Sequence, residues 1–544
     1  MSSLSVEALG AAADAVETHL PTLVEDRVAS RLFAQDPTLW GPAAEAESAI
    51  RLAWTGLHRT SRPLIGEIAA LREQLTERGV HRIALCGMGG SSLAPEVICA
   101  TAGVELVVVD SSDPDMVRAC VEEDLAGTAV VVSSKSGSTV ETDSQRRIFI
   151  QAFQDAGIDP TERVVIVTDP GSAMDTQARA DGYRVINADP DVGGRYSALT
   201  AFGLVPSGLA GVDVGALLDE AEEVADLLAE DDAANPGLRL GAALGGTDPL
   251  RDKLILTDRG TQIVGFADWA EQLIAESTGK EGTGLLPVVV GTDGAAEAVA
   301  TAADATVVAL TAEDDDEADP TDTVPAQINV SGTLGAQLLL WEVATAVAGR
   351  LLGINPFDQP DVESAKDAAR SLMETPSDTA EPALGTDGAV ELRTAGTALD
   401  LAGAEDSLPA AVEALLAELD PERGYLAVMV YLDRLAHVDL ESVRGALEQH
   451  TGRPVTFGWG PRFLHSTGQF HKGGPAVGVY LQVTGEPFED VPVPGKDFTL
   501  GTFIKAQAAG DAQVLADAGR PVLRLHLTDQ TDGLTQLREV LGQR

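Results

Sequence analysis

Ala129-Val130-Val131-Val132-Ser133-Ser134-Lys135-Ser136-Gly137-Ser138-Thr139 runs from an apolar strand into a polar turn, and a helix-like stretch follows. Five hydroxyls and one ammonium converge at what the pattern predicts to be a helix N-terminus. Backbone N–H groups there have no intrahelical partner and carry partial positive charge, so they attract anions. Hydroxyls add directional donors and lysine a point charge. The turn suits a phosphate monoester; the competing reading is an ordinary Ser/Thr-rich helix cap.

The same strand–turn–helix rhythm extends both ways. Upstream, the apolar run Arg82 to Cys86 leads into Gly87-Met88-Gly89-Gly90-Ser91-Ser92 and a helix, and Glu105 to Val109 is a further strand. Downstream, Arg163 to Thr168 and Arg184 to Ile186 supply two more. Five short apolar strands separated by helices predict a doubly wound, mostly parallel sheet, with ligands beyond the carboxyl ends of its strands. Both Gly/Ser loops fall there. The GxGG turn also fits a dinucleotide site, but Ser92 stands where GxGxxG needs its third glycine.

A second rhythm follows the Asn235-Pro236-Gly237 break, with strands at Lys253 to Thr257, Leu285 to Val290, Thr306 to Leu310 and Gln327 to Val330. The acidic run 313–317 reads as a solvated loop, and a helix is expected over 362–373. A third α/β stretch has strands at Tyr425 to Tyr431, Val455 to Trp459, Gly478 to Val483 and Val522 to Leu527. The expected plan is an α/β protein: residues 1–80 helical, 81–210 the first sheet domain, 211–375 the second, 376–404 a linker, and 405–544 a smaller α/β domain.

Composition narrows the function. Net charge is −48 over 544 residues, a field that repels nucleic acid and anionic lipid and excludes both as partners. An anionic metabolite therefore needs local positive charge. Of only seven lysines, Lys135, Lys280 and Lys366 fall inside motifs, and Lys472 lies in a fourth suggestive stretch. The three cysteines form no CxxC pair, which fits a reducing compartment. No apolar run is long enough to span a bilayer and the acidic N-terminus is unlike a signal peptide, so a cytoplasmic location is expected. The histidines include no HExxH or close Cys/His cluster, so no metal is expected.

Three further motifs carry candidate chemistry. Gly193-Gly194-Arg195-Tyr196-Ser197 combines close backbone approach with a fixed cation, or is a surface turn. Gln272, Glu276 and Lys280 are spaced by four, which places them on one helix face. A carboxylate there could shuttle a proton; the plainer reading is a surface Glu–Lys pair. Asn355-Pro356-Phe357-Asp358-Gln359-Pro360 opens a helix carrying Glu363 and Lys366, with a capped surface helix as the alternative.

CGMGGSS, SSKSGSTVET, GGRYS, EQLIAESTGK and NPFDQPDVESAK, in that order over about residues 81 to 375, resemble the phosphoglucose isomerase family. The last two motifs and the C-terminal FLHSTGQFHKGG are most similar to the subgroup found fused to transaldolase, although too few residues precede the first sheet for that barrel. The resemblance implies two sugar-isomerase (SIS) sheet domains, a homodimer, no cofactor, and cytoplasmic interconversion of glucose 6-phosphate and fructose 6-phosphate through a cis-enediol(ate). Dual action on mannose 6-phosphate, or a non-catalytic SIS regulator, are its alternatives. By resemblance, Glu276 is the base and Arg195 stabilises the enediolate. Ser91, Ser134, Ser136 and Thr139 hold the phosphate, aided by Lys135 and the Gly90 backbone. Gln272 and Gln359 contact hydroxyls, and Lys366 assists ring opening.

One departure stands out. The family has a ring-opening histidine downstream of its catalytic glutamate, whereas this chain has Gly294-Ala295-Ala296-Glu297 there and no histidine between His81 and His437. The stretch Phe463 to Gly474 contains two imidazoles that titrate near neutral pH when unperturbed. His465 or His471 is the candidate replacement, against a hairpin loop with exposed histidines.

Overall fold

The computed structural model describes residues 4–290, 302–312, 325–361 and 383–542. The expected helix over 362–373 with Glu363 and Lys366, the acidic run 313–317 and the stretch 294–297 lie outside the described residues. Sixteen strands among the described residues form three sheets. The first in sequence, β1 (Ser5–Gly10), belongs to the second sheet.

The first sheet contains β2 (Arg82–Cys86), β3 (Val107–Val109), β4 (Thr128–Ser133), β5 (Val164–Thr168) and β6 (Arg184–Asn187), in the order β3-β2-β4-β5-β6. All its pairings are parallel. Strands β2 and β4 are buried along their whole length, as continuous apolar strands covered on both faces must be. The chain leaves β2 towards β3 on one side and returns through β4 on the other. The crevice at that reversal is where doubly wound sheets bind ligands, and the loops Gly87–Ser92 and Ser134–Thr139 open into it.

The second sheet contains β7 (Lys253–Arg259), β8 (Leu286–Val289), β9 (Ala305–Thr311) and β10 (Ala326–Ser331), in the order β1-β10-β9-β7-β8. It is parallel except for β1, which pairs antiparallel with β10. The reversal here lies at β7, and the helix Phe266–Thr278 follows that strand. The expectation of an all-helical 1–80 is corrected by β1. Its single buried residue, Val6, gives almost no alternation, and its partner lies more than 300 residues away.

The third sheet contains β11 (Gly385–Asp387), β12 (Val390–Ala395), β13 (Tyr425–Tyr431), β14 (Val455–Trp459), β15 (Gly478–Gly485) and β16 (Val522–Leu527), in the order β11-β12-β16-β15-β13-β14. The expected linker over 376–404 is therefore corrected in its described part. Val390 and Leu392 are buried, and β12 pairs antiparallel with β16. Thr, Gly and Asp disguise a strand whose partner is remote.

This third unit is built into the core. Tyr425, Ala427 and Met429 share an apolar cluster with Ile255, Leu286, Val288 and Val307 of the second sheet. Val493 and Leu500 pack against the first sheet through Val130, Val132 and Ile166. Arg434 and Arg462, just beyond the carboxyl ends of β13 and β14, reach Glu96 and Asp110 of the first unit at 2.5–3.0 Å. Burial raises the Glu96 carboxyl, but the two guanidinium groups reverse this and hold it down at about 2. Asp110 is wholly buried, so removing one arginine leaves the carboxylates poorly compensated. Arg462→Met is predicted to destabilise the protein by about 3 kcal/mol in urea denaturation. A loss within experimental scatter would show that the network does not hold the units together.

Candidate active site

Arg195 links the first sheet to the second. Its loop is pressed against the Gly87–Ser92 loop so closely that a Cβ on Gly90 would lie 1.9 Å from the Gly194 carbonyl oxygen. Ser197 Oγ also donates to the Gly90 carbonyl at 3.3 Å. The Arg195 side chain is 3% exposed. Its Nε donates to Ser277 Oγ (2.8 Å), Nη1 to Gln359 Oε1 (2.9 Å), and Nη2 to the carbonyls of Pro356 (2.8 Å) and Asp358 (2.9 Å). Nη1 also lies 3.4 Å from Glu276 Oε1. The neighbouring Tyr196 stacks on Trp54 at 5.2 Å, which fixes the base of this loop in the core.

Glu276 sits in the last turn of the helix Phe266–Thr278 with its side chain 14% exposed. Gln272, one turn earlier, donates from Nε2 to Glu276 Oε2 at 3.0 Å. The Gln272 Oε1 is buried with no partner among the described residues, an acceptor left over at the site. Gly89 adopts φ +54, and a Cβ there would lie 2.7 Å from Gln272 Nε2 and 3.0 Å from His465 Cβ. The first Gly/Ser loop, the Glu276 helix and the His465 turn thus meet at one point.

Lys280 is not the surface partner of Glu276. It is 1% exposed, and its Nζ donates to the carbonyls of Asn355 (2.8 Å) and Asp358 (2.6 Å) and to Asp358 Oδ1 (2.7 Å). Together with Arg195 it clamps the 355–359 loop that presents Gln359. From the third unit, Gln469 Oε1 accepts from the Asp361 N–H at 3.0 Å and its Nε2 donates to the Gly279 carbonyl at 3.0 Å.

The hydroxyl turn is preorganised. Ser134 Oγ accepts from the Gly137 N–H (3.2 Å) and lies 3.4 Å from Thr139 Oγ1, while Ser136 and Ser138 hydroxyls meet at 2.7 Å. Thr139 caps the helix Val140–Asp155 without a side-chain cap bond, so its hydroxyl is not committed to that helix. Ser91 ends the turn Gly89–Ser91 before the helix Leu93–Thr101. Lys135 points elsewhere, pairing with Asp169 Oδ2 at 2.6 Å and donating to the Pro190 carbonyl at 3.0 Å.

The two candidate histidines divide sharply. The expected loop at 463–474 is a turn, Arg462–His465, followed by the helix Gly468–Gly473. His471 is buried, its Nδ1 3.0 Å from the Tyr425 hydroxyl. Burial, then Lys472 and Arg520, holds its imidazole far below the ordinary value, which corrects the expectation that it could serve a ligand. His465 lies at the junction described above, its Nε2 3.2 Å from Glu141 Oε1. The motifs did not single out Glu141, Ser277 or Gln507 as functional. Glu141 and His465 are 324 positions apart, and no sequence signal joins them.

No family model matches the chain. Curated relatives do. A protein of Haloarcula marismortui named probable glucose-6-phosphate isomerase is 33% identical over 206 residues, 37% of this chain and 47% of that one. The chain thus spans about half of that relative. The glucose-6-phosphate isomerase of Gloeothece citriformis is 30% identical over 387 residues, 58% of this chain and 68% of that protein. The chain belongs to the glucose-6-phosphate isomerase family. A solved structure of a glucose-6-phosphate isomerase from Chlamydia trachomatis has the same fold over 58% of this chain and 74% of its own, with TM-score 0.50 and 23% identity.

In this member of the family the clamp around Lys280 has a pH signature. Burial and the neighbouring Arg195 charge lower the ammonium from 10.5 to about 8, with Asp358 offsetting part of the shift. Below pH 8 both folded and unfolded chains hold the proton, so the cost of burying the charge is fully present. Between pH 8 and 10.5 the unfolded chain binds more protons, and this group's contribution to stability rises with pH. The unfolding free energy of the wild type relative to Lys280→Met should climb across that window by on the order of 3 kcal/mol. A flat difference would contradict a buried ammonium.

Proposed function

We propose that the protein interconverts glucose 6-phosphate and fructose 6-phosphate by proton transfer through a cis-enediol(ate), with Glu276 as the base. The observation that carries this reading is the Glu276–Arg195 pair, a carboxylate and a guanidinium 3.4 Å apart. In an open-chain aldose, Glu276 takes the proton from C2, the C–H electrons form the C1–C2 double bond, and negative charge moves onto O1. Arg195 stabilises that oxygen, already oriented by Ser277 and the Pro356 and Asp358 carbonyls, so little reorganisation is needed. Glu276 then returns the proton to C1 while a hydroxyl proton passes from O2 to O1, giving the ketose.

The phosphate fits the other end of the crevice. Ser91, Ser134, Ser136 and Thr139 hydroxyls, the Gly90 backbone and the N-terminus of the helix Val140–Asp155 are donors suited to an anion. Lys135 joins them only by leaving Asp169, so it tunes the field more than it grips the ester. Gln272 and Gln359 suit sugar hydroxyls. We assign ring opening to His465, through proton exchange with the ring oxygen; Lys366 is kept for that step on resemblance alone. The same reading implies a cytoplasmic homodimer.

The test follows glucose 6-phosphate formation from fructose 6-phosphate with a coupled dehydrogenase. Glu276→Gln should lower kcat by on the order of a thousandfold with KM little changed. A variant keeping a tenth of the wild-type rate would defeat the assignment. His465→Gln should slow turnover of the ring-closed sugar, and an unchanged rate would remove the histidine from the mechanism.

A further inference from the structure

The C-terminal unit presents His465 and also carries a second buried side chain aimed at the same carboxylate. Gln507, on the helix Leu500–Asp517, is 4% exposed. Ser112, wholly buried after β3, donates from Oγ to Gln507 Oε1 at 2.5 Å. The Ser112 hydroxyl can donate or accept, so the orientation of the amide is set at its other end, where a carboxylate only accepts. Gln507 Nε2 then donates to Glu141 Oε1 at 2.8 Å, the same oxygen that lies 3.2 Å from His465 Nε2. Four residues from four separate parts of the chain thus form one line: Ser112, Gln507, Glu141, His465.

We propose that Gln507 is a positioning residue that fixes the tautomer of His465 through Glu141. This rests on the assignment of His465 above and deepens it. An ionised carboxylate only accepts, so the imidazole must present Nε2–H to Glu141. The hydrogen bond made by one ring nitrogen decides which nitrogen carries the proton. With Nε2–H committed, Nδ1 is the nitrogen that exchanges a proton with a ligand; it makes no hydrogen bond among the described residues. Gln507 holds the carboxylate oxygen by a bond that cannot reverse direction, because an ionised carboxylate only accepts, and Ser112 anchors the amide oxygen at the other end. Without it, the oxygen facing His465 loses one of the bonds that hold it, and the preference for a single imidazole tautomer weakens.

The experiment uses the full chain with 15N-labelled histidine. The His465 ring signals are assigned by their loss in His465→Gln. The wild type should show a protonated Nε2 and an unprotonated Nδ1 in the neutral ring. Gln507→Leu should give mixed tautomers, with kcat for fructose 6-phosphate lower by on the order of tenfold and KM within about twofold. Ser112→Ala keeps the amide but removes the bond that anchors its oxygen, and should move both readouts the same way even if Gln507→Leu folds poorly. A fixed Nε2–H tautomer in both variants overturns the proposal whatever their activity. A wild type that fails to isomerise sugar phosphates, yet loses its single tautomer in both variants, supports the proposal and overturns the isomerase reading instead.

Discussion

The Arg195 guanidinium is the joint of this molecule. Five N–H groups leave one buried cation in fixed directions; the cation stands on a loop of the first unit, and its partners come from the helix of the second and the 355–359 turn beyond it. A buried charge is tolerated only when such partners satisfy it, and removing them would strand it in a dry interface. The same geometry that makes Arg195 affordable in the core aims one edge at Glu276. Structure and chemistry therefore make the same demand on one side chain. Gly90 and Gly194 meet that demand from below, since backbone approach this close admits no Cβ at position 90.

The third sheet extends the logic. Carboxyl ends of its parallel strands, where a doubly wound sheet would ordinarily hold its own ligand, are turned inward. Arg434 and Arg462 grip the first unit there, and three residues past Arg462 the chain delivers His465. On the far side Phe470 rests on Gly279 so tightly that a Cβ there would lie 2.4 Å from its Cα. Gln469 holds Asp361. Instead of standing apart as a separate binding domain, the third unit forms one wall of the crevice.

Much of this was legible in sequence because the first two sheets are buried on both faces. Continuous runs such as Val130 to Val132 have few other ways to fold, and Gly/Ser loops at their carboxyl ends point to an anion. The chemistry-bearing motifs lay within single loops or helices, so spacing revealed them. Contacts between remote segments were hidden. Lys135 reads in sequence as a phosphate ligand because Asp169, its partner, lies on another strand's loop. Lys280 reads as half of a surface pair because nothing local shows that the Asn355 and Asp358 carbonyls accept from it. β1 carries a weak pattern, whereas β12 alternates from Val390 to Arg393 but stands inside a Thr, Gly and Asp-rich stretch; both depend on partners far along the chain. Composition does not distinguish His465 from His471; burial of one against Tyr425 and the approach of the other to Glu141 separate them.

The central claim is that one carboxylate moves a carbon-bound proton, and isotope exchange reads that step without relying on net turnover. Glucose 6-phosphate incubated in D2O with the wild type should acquire deuterium at C2, and the fructose 6-phosphate formed should acquire it at C1. With Glu276→Gln both signals should fall to the uncatalysed background in proton NMR. Deuterium entering at the wild-type rate in that variant, or sugar interconversion by the wild type with no label at either carbon under any condition, would contradict the account.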